Sequence, residues 1–383
     1  MGSYFLAHLY ALGGGILIYT IPFLFVLSLV VFFHELGHFL VARWCGVRVL
    51  VFSIGFGPEI IGFNDPYSTR WKISLIPLGG FVKFFGDENA ASVPDGTQLA
   101  GMNAEERAQS FVFQPIYKRA AIVAAGPIAN FLLAIAIFAA TIMIYGSPVD
   151  SPEAMSARVE GVDPGSAAAA AGFEPGDLVV AIDGEPIANF AEMQRIVSEN
   201  PQRKLDITVQ RRGAEGVLSA VPKSDKDILG NRIGRLGIHG PLPAKFAYQP
   251  VSPPQAVWMG MQETWFVVDQ TFKYIGGVIT GHRAADQLSG PIGIARVIGK
   301  AANISFGFVI HIAAVISVSI GLLNLFPIPL LDGGHLLFYL IEGIRGRPLS
   351  ERAQELGFRI GLAIVLMLMI FATFNDIVHL TTS

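Results

Sequence analysis

Val31-Phe32-Phe33-His34-Glu35-Leu36-Gly37-His38-Phe39-Leu40 lies inside a hydrophobic run from about Ile16 to Ala42. A His-Glu-x-x-His pattern on a helix puts His34 and His38 one turn apart on the same face, where they can share one metal ion. Glu35 lies beside that face and can hold or deprotonate a metal-bound water. The apolar setting sharpens the pattern, because burying a carboxylate and two imidazoles in lipid costs several kcal/mol unless something compensates. The competing reading is a pair of helix-packing histidines beside a snorkelling glutamate.

The surrounding 383 residues are 52 % hydrophobic and 15 % charged, with a mean hydropathy of +0.52. That balance excludes an ordinary soluble protein and predicts several membrane spans plus a polar domain. A net charge of −3 gives no reason to expect a nucleic-acid partner. With Cys45 the only cysteine, an intramolecular disulfide and a thiolate zinc cluster are both excluded. No Lys or Arg precedes Arg43, so the first apolar run reads as a retained span and not as a signal peptide.

Four stretches are long enough to cross a bilayer: about Ile16–Arg43, Arg119–Tyr145, Phe306–Ile344 and Leu356–Leu380. The third is too long for one simple span. Arg43, Arg48, Lys118, Arg119, Arg345, Arg347 and Arg352 flank the spans on one side, which the positive-inside rule makes cytoplasmic. Both termini are therefore expected on the outer side. At ~1.5 Å per residue, His38 and His34 lie roughly 8–14 Å below the cytoplasmic end of the first helix.

Between the first two spans, Val47–Phe56 and Trp71–Phe85 read as apolar strands punctuated by Gly and Pro. They predict a sheet dipping into the membrane, whose edge can take a peptide in extended form. The polar stretch Asp87–Ser110 reads as a loop. In span two, Asn130 either bonds a neighbouring helix or lines the site. Beyond it, Arg158–Val162, Leu178–Ile182, Leu205–Arg211 and Gly216–Val221 read as strands and Phe190–Glu199 as a helix. This order, with Gly-Phe-x-Pro-Gly-Asp at Gly172–Asp177, resembles a PDZ domain, a module that takes a peptide along a sheet edge. Ala256–Ile279 reads as amphipathic helix lying on the outer membrane face.

The third stretch is interrupted at Asn324-Leu-Phe-Pro327-Ile-Pro329-Leu-Leu331-Asp332-Gly333-Gly334-His335, where two prolines and two glycines break the helix. Unwound backbone at membrane depth is tolerated where it lines a wet cavity or is buried in protein. It also offers what two histidines lack, since catalytic zinc takes three protein ligands. Depth argues against His311, Asp376 and His379. Asp332 and His335 both remain, and His335 can equally donate a hydrogen bond to a ligand.

Taken together, His34-Glu35-x-x-His38, Asn324-x-x-Pro327-x-Pro329-x-Leu331-Asp332-Gly333, Gly126-Pro127-x-x-Asn130 and Gly55-Phe56-Gly57-Pro58 resemble the site-2 protease family of intramembrane zinc metalloproteases, over nearly the whole chain. The nearest resemblance is to the regulator of sigma-E protease type, here with room for one PDZ-like domain where better-known members carry two. The resemblance implies zinc on His34, His38 and Asp332, with Glu35 as catalytic base. It also implies Asn324 as a substrate or oxyanion contact; the hairpin and span readings add Gly79, Gly80 and Asn130 as candidate substrate contacts, with His335 a candidate partner behind the ligands. The implied reaction is hydrolysis of a peptide bond within or near the transmembrane segment of a single-pass protein, such as an anti-sigma factor already trimmed by another protease or a remnant signal peptide. The implied location is a bacterial inner membrane, with the termini and the PDZ-like domain periplasmic and the site toward the cytoplasmic half.

The expected fold is thus a polytopic α-helical membrane protein with four transmembrane helices, a membrane-associated β-hairpin region and one α+β PDZ-like domain. Its expected divisions are 1–45 (first span), 46–115 (cytoplasmic β region), 116–147 (second span), 155–240 (PDZ-like), 241–303 (amphipathic), 304–345 (broken third span) and 353–383 (fourth span). Two rival readings are a transporter or metal carrier, which uses similar broken helices but predicts an internal repeat, and a non-enzymatic PDZ scaffold, which leaves Glu35 unexplained.

Overall fold

The computed structural model describes residues 2–87, 101–148, 156–226, 232–240, 248–280 and 289–381, with side chains of the first helix described from Tyr19 onward. The chain divides into two compact units, Met1–Thr141 with Pro253–Leu380, and Ile142–Ser252 with the last three residues.

The first unit begins with helix α1 (Gly2–Trp44), which carries the His-Glu-x-x-His pattern. Strands β1 (Val49–Asn64) and β2 (Arg70–Phe84) follow as antiparallel neighbours. Both are sharply bent, β1 at Gly55 and Gly57, which take φ of +88° and +86°, and β2 near Gly79 at +104°. The bends let Val51–Ile54 lie between Gly80–Lys83 on one side and Arg70–Ile73 on the other, while Ile61–Asn64 pairs back onto Arg70–Ile73. The inner half of this sheet is anchored on α1 by aromatic packing, with Phe52 stacked on Trp71 at 4.2 Å and Phe39 edge-on to both at 5.6 and 4.9 Å. The outer half exposes Ile60, Ile61, Phe63, Ile73, Leu75 and Ile76, too many adjoining large apolar side chains for a surface facing only water.

Within the stretch expected as a loop, Ala104–Gln109 is a helix, α2. The overlooked signal is Asn103-x-x-Glu106, which forms a complete capping box: Asn103 accepts from the Glu106 amide and the Glu106 side chain accepts from Asn103 N–H. Residues 88–100 of that expected loop lie outside the described residues.

Helix α3 (Ile116–Tyr145) crosses α1 closely, because Gly37 brings its backbone against Ala125 and Ala129.

The second unit contains β3 (Gly161–Val162), α4 (Ala167–Ala171), β4 (Leu178–Ile182), β5 (Glu185–Pro186), α5 (Phe190–Glu199), β6 (Leu205–Arg211), β7 (Ala214–Ala220), β8 (Lys223–Lys226), β9 (Arg232–Arg235) and β10 (Ile238–His239). The main sheet runs β5-β4-β6-β7. Alternating inward residues Leu205, Ile207 and Val209 join Val159, Val179, Met193 and Val197 in a core of their own.

The chain then returns to the first unit with α6 (Pro253–Ile279), α7 (Pro291–Ile304), α8 (Phe306–Leu325), α9 (Asp332–Arg345) and α10 (Glu351–Thr381). The sequence predicts α6 on the outer membrane face. In the structure it presents the i, i+4 stripe Ala256, Gly260, Thr264 and Val268 to protein: Gly260 abuts Ile135 and Ala139 of α3, and Val268 joins Ala314 and Val318 of α8. Asp376 of α10 accepts the amides of Gly290, Ile292 and Gly293 at 3.0, 3.0 and 2.9 Å, capping the start of α7.

Among the described residues, four helices are long and apolar enough to span a membrane: Tyr19–Trp44, Ile116–Tyr145, Phe306–Leu325 and Arg352–Val378. Gly361 of the last lies directly against Pro329 O, so its lack of a side chain brings α10 onto the break between α8 and α9.

Candidate metal centre

Each element delivers its ligand for a local reason. The α-helical rise places His34 and His38 on one face of α1. The break at Phe326–Leu331 ends α8 and restarts the chain as α9, whose first residue is Asp332. A carboxylate there is favoured by the partial positive charge of the helix start. The restart holds Leu330 at φ +103°, a backbone region costly to a branched side chain.

His34 Nε2 and His38 Nε2 lie 3.3 Å apart. Asp332 Oδ2 is 3.2 Å from the first and 3.5 Å from the second. A tetrahedral zinc with bonds of about 2.0–2.1 Å holds neighbouring donors about 3.3–3.4 Å apart, so the three atoms match one face of that tetrahedron. His38 Nδ1 donates to Ile122 O at 2.9 Å, which leaves Nε2 bare in the neutral ring. The bare nitrogen of His38 and a carboxylate oxygen crowded this closely repel one another without a cation between them. The residues fit the metal, and they are the one such group of three or more His, Cys, Asp or Glu found among the described residues.

The floor of the site is Gly126 of α3, where any Cβ would overlap the imidazoles of His38 and His34. Glu35 is buried, and its stem touches β2: a Cβ at Gly80 would come within 2.9 Å of Glu35 Cγ and 2.8 Å of Val31. The hairpin therefore borders the acid–base candidate directly. Gly79 lies against the Phe56 ring, one position removed from that contact.

Asn324, in the last turn of α8, brings its amide to 3.5 Å from His34 Nε2, on the triangle's side of the ring. Asn130 faces the other ring nitrogen, Nδ1, at 3.3 Å, so it lies behind His34 and away from the triangle. His335 is packed beside Phe358 and Tyr339, at 5.5 and 6.5 Å between ring centres, and among the described residues no hydrogen bond joins its ring to a ligand. His311 packs on Phe138 and Asp376 caps α7, so neither approaches the triangle. The side chain of His379 lies outside the described residues. Sequence reasoning did not single out Ser317, whose Oγ donates to Asn130 O at 2.9 Å. A serine in an apolar helix at the level of Asn130 was its only signal.

The sequence profile of peptidase family M50 matches residues 22–368. A protein of Agrobacterium fabrum carrying a zinc metalloprotease name is 52 % identical over 365 residues, covering 94 % of this chain and 95 % of the relative. Metalloprotease MmpA of Caulobacter vibrioides is 39 % identical, covering 95 % of this chain and 96 % of its own. The regulator of sigma-E protease RseP of Escherichia coli is 32 % identical, with 92 % and 97 % covered. That last alignment runs over 448 positions, so the Escherichia coli protein carries residues for which this chain has no counterpart.

Proposed function

Because the chain belongs to peptidase family M50, the site-2 protease family, and is a zinc metalloprotease, we propose that it cuts a single-pass membrane protein within or near its transmembrane segment, as a step of regulated intramembrane proteolysis. The observation that carries this reading is the donor triangle of His34, His38 and Asp332, two of whose members sit on a helix long and apolar enough to span a membrane.

Zinc held by His34, His38 and Asp332 would supply Lewis acidity, making water at this site far more acidic than in bulk. Glu35 accepts the proton of the attacking water and returns it to the leaving amine nitrogen as the C–N bond breaks. Asn324, beside the triangle, orients the scissile carbonyl. A transmembrane helix keeps its carbonyls in internal hydrogen bonds, so the segment to be cut has to unwind first. Gly80–Val82 supports this step: among the described residues it pairs with Phe52–Ile54 on one side, and Gly80 borders Glu35. A substrate strand added at that edge is held extended next to the acid–base group. His335 contributes to the shape of the pocket and not to ligation.

The second unit is read as one PDZ-like domain, on the strength of its four-stranded sheet and the helix Phe190–Glu199. The charge pattern puts it, with both termini, on the periplasmic side of a bacterial inner membrane, where it filters substrates by size or reads a freshly cut end. An anti-sigma factor trimmed by another protease, or a remnant signal peptide, fits such a site.

Purified protein with a single-span model peptide tests the assignment. Glu35→Gln is expected to keep zinc and lose cleavage, and Asp332→Ala to lose both. Full activity in the Glu35 variant, or undiminished zinc affinity in the Asp332 variant, would refute the assigned roles.

A further inference from the structure

A neutral imidazole that gives one nitrogen to a metal keeps its proton on the other, and a buried N–H left unpaired is costly. His38 meets this need with the main-chain oxygen of Ile122. Beside His34 Nδ1 stands a side chain instead, the amide of Asn130, drawn with its nitrogen 3.3 Å away and its oxygen without a partner among the described residues.

Asn130 is fully buried, one turn beyond Gly126-Pro127 on α3. It is held from two directions: its main-chain oxygen accepts from Ser317, and its Cβ lies against the backbone of Gly321. The backbone is thus fixed, and the remaining freedom is a half-turn that exchanges the amide nitrogen and oxygen. The amide oxygen and nitrogen cannot both face His34, and the atom that does not has no hydrogen-bond partner among the described residues, so that half-turn sacrifices no other bond.

The two orientations demand opposite tautomers. With the amide nitrogen toward the ring, Nδ1 must accept, and Nε2 carries a proton aimed between His38 Nε2 and Asp332 Oδ2. That tautomer cannot ligate. With the oxygen toward the ring, Nδ1–H donates and Nε2 presents a lone pair to the triangle. We propose that Asn130 is a positioning residue that accepts the Nδ1–H of His34 through its amide oxygen, fixing the tautomer and the ring orientation that zinc requires. The inference rests on the metalloprotease reading above. It takes Asn130 away from the substrate and gives it the same duty toward His34 that the Ile122 carbonyl has toward His38. Of these two acceptors, only Asn130 can be altered by mutation.

The competing role for a buried asparagine between helices is adhesive, and three variants of the full chain separate the two. Each is purified, stripped of metal and titrated with zinc against a chromophoric chelator, and the visible spectrum of the cobalt-loaded form is recorded. Asn130→Asp keeps an acceptor oxygen and is expected to bind zinc within about threefold of the parent, with a parent-like cobalt spectrum. Asn130→Leu fills similar volume without an acceptor and is expected to bind about 10- to 100-fold more weakly, the range seen when a ligand's hydrogen-bond partner is lost. Ser317→Ala removes a helix contact of the same residue without touching His34 and is expected to match the parent. Asn130→Leu binding like the parent, Asn130→Asp falling as far as Asn130→Leu, or Ser317→Ala falling in step with both would overturn the proposal. If Asn130→Leu does not fold, the Asn130→Asp result decides it alone. A parent protein that binds no zinc would instead sink the metalloprotease reading, and this inference with it.

Discussion

Gly126 shows how little room the site leaves at the scale of one residue. Its hydrogen faces the two imidazoles, and a methyl group there would overlap His38 Nε2. Overpacking of this kind costs about 1–3 kcal/mol, which corresponds to a 5- to 150-fold loss of zinc affinity. Gly126→Ala is therefore expected to weaken zinc binding by about that factor in a chelator competition. Gly276→Ala, at a helical glycine with nothing within 4 Å of the added methyl, is expected to leave it unchanged. Equal affinities in the two variants would mean that α3 yields, and that Gly126 is not a structural requirement of the site. His34, Glu35 and His38 were legible in the sequence because one helical turn fixes their relation. The third donor was legible only through the family resemblance, because the residues alone left Asp332 and His335 both open at a similar depth. Only the fold shows Asp332 Oδ2 at 3.2 Å from His34 while His335 turns toward Phe358.

Among elements, α9 has to be held in place for Asp332 to reach His34 and His38, which lie 298 and 294 residues earlier in the chain. An ion pair does part of this: Arg119 Nη2 of α3 lies 2.6 Å from Glu342 Oε1 of α9, both side chains are about 15 % exposed, and the guanidinium also lies over Tyr339. Removing one partner of a buried pair costs about 3–5 kcal/mol, whereas replacing both by apolar residues is often neutral. Arg119→Met alone should therefore destabilise more than Arg119→Met combined with Glu342→Leu, as read by denaturant titration in detergent. Additive losses would show that the pair is not a unit. In the second unit, Arg211 binds Asp177 through two bonds of 2.7 and 2.8 Å and, chiefly by those hydrogen bonds, holds its carboxyl below the usual range. A lowered carboxyl stabilises the fold at pH values above the unfolded value near 3.9, and the contribution disappears as pH falls through the lower folded value. Amide exchange at Val159, whose N–H bonds to Asp177 O, should accelerate below about pH 4. Arg211→Met, which removes the chief cause of the lowering, should speed exchange at neutral pH and flatten that acid dependence. An unchanged profile in the variant would show that the Asp177 titration is not set by Arg211. Neither pair was foreseeable, because sequence carries no record of which distant charges meet. The capping box at Asn103-x-x-Glu106 was local and could have been read.

Across the whole molecule, the spans were the most legible feature, since lipid demands about 20 apolar residues at a stretch and the described residues include four such helices. The bending of β1 and β2 was not legible, because it depends on positive φ at Gly55, Gly57 and Gly79, and glycine permits that conformation without requiring it. The division into two units, each with a core of its own, has a thermodynamic consequence. All three donors of the triangle lie in the unit made of Met1–Thr141 and Pro253–Leu380, so zinc ties together segments far apart in that unit and contributes nothing directly to the other. A ligand present at 100 times its Kd stabilises the state that binds it by about 2.7 kcal/mol. Hydrogen exchange on the full chain along a temperature ramp, with zinc and then with a chelator, should show protection lost early in peptides from the first unit when the metal is removed. Peptides from Leu178–Ala220 should lose protection at the same temperature in both conditions. If those peptides move with the rest, the two units unfold as one, and the separation of metal chemistry from the β-rich unit would have to be abandoned.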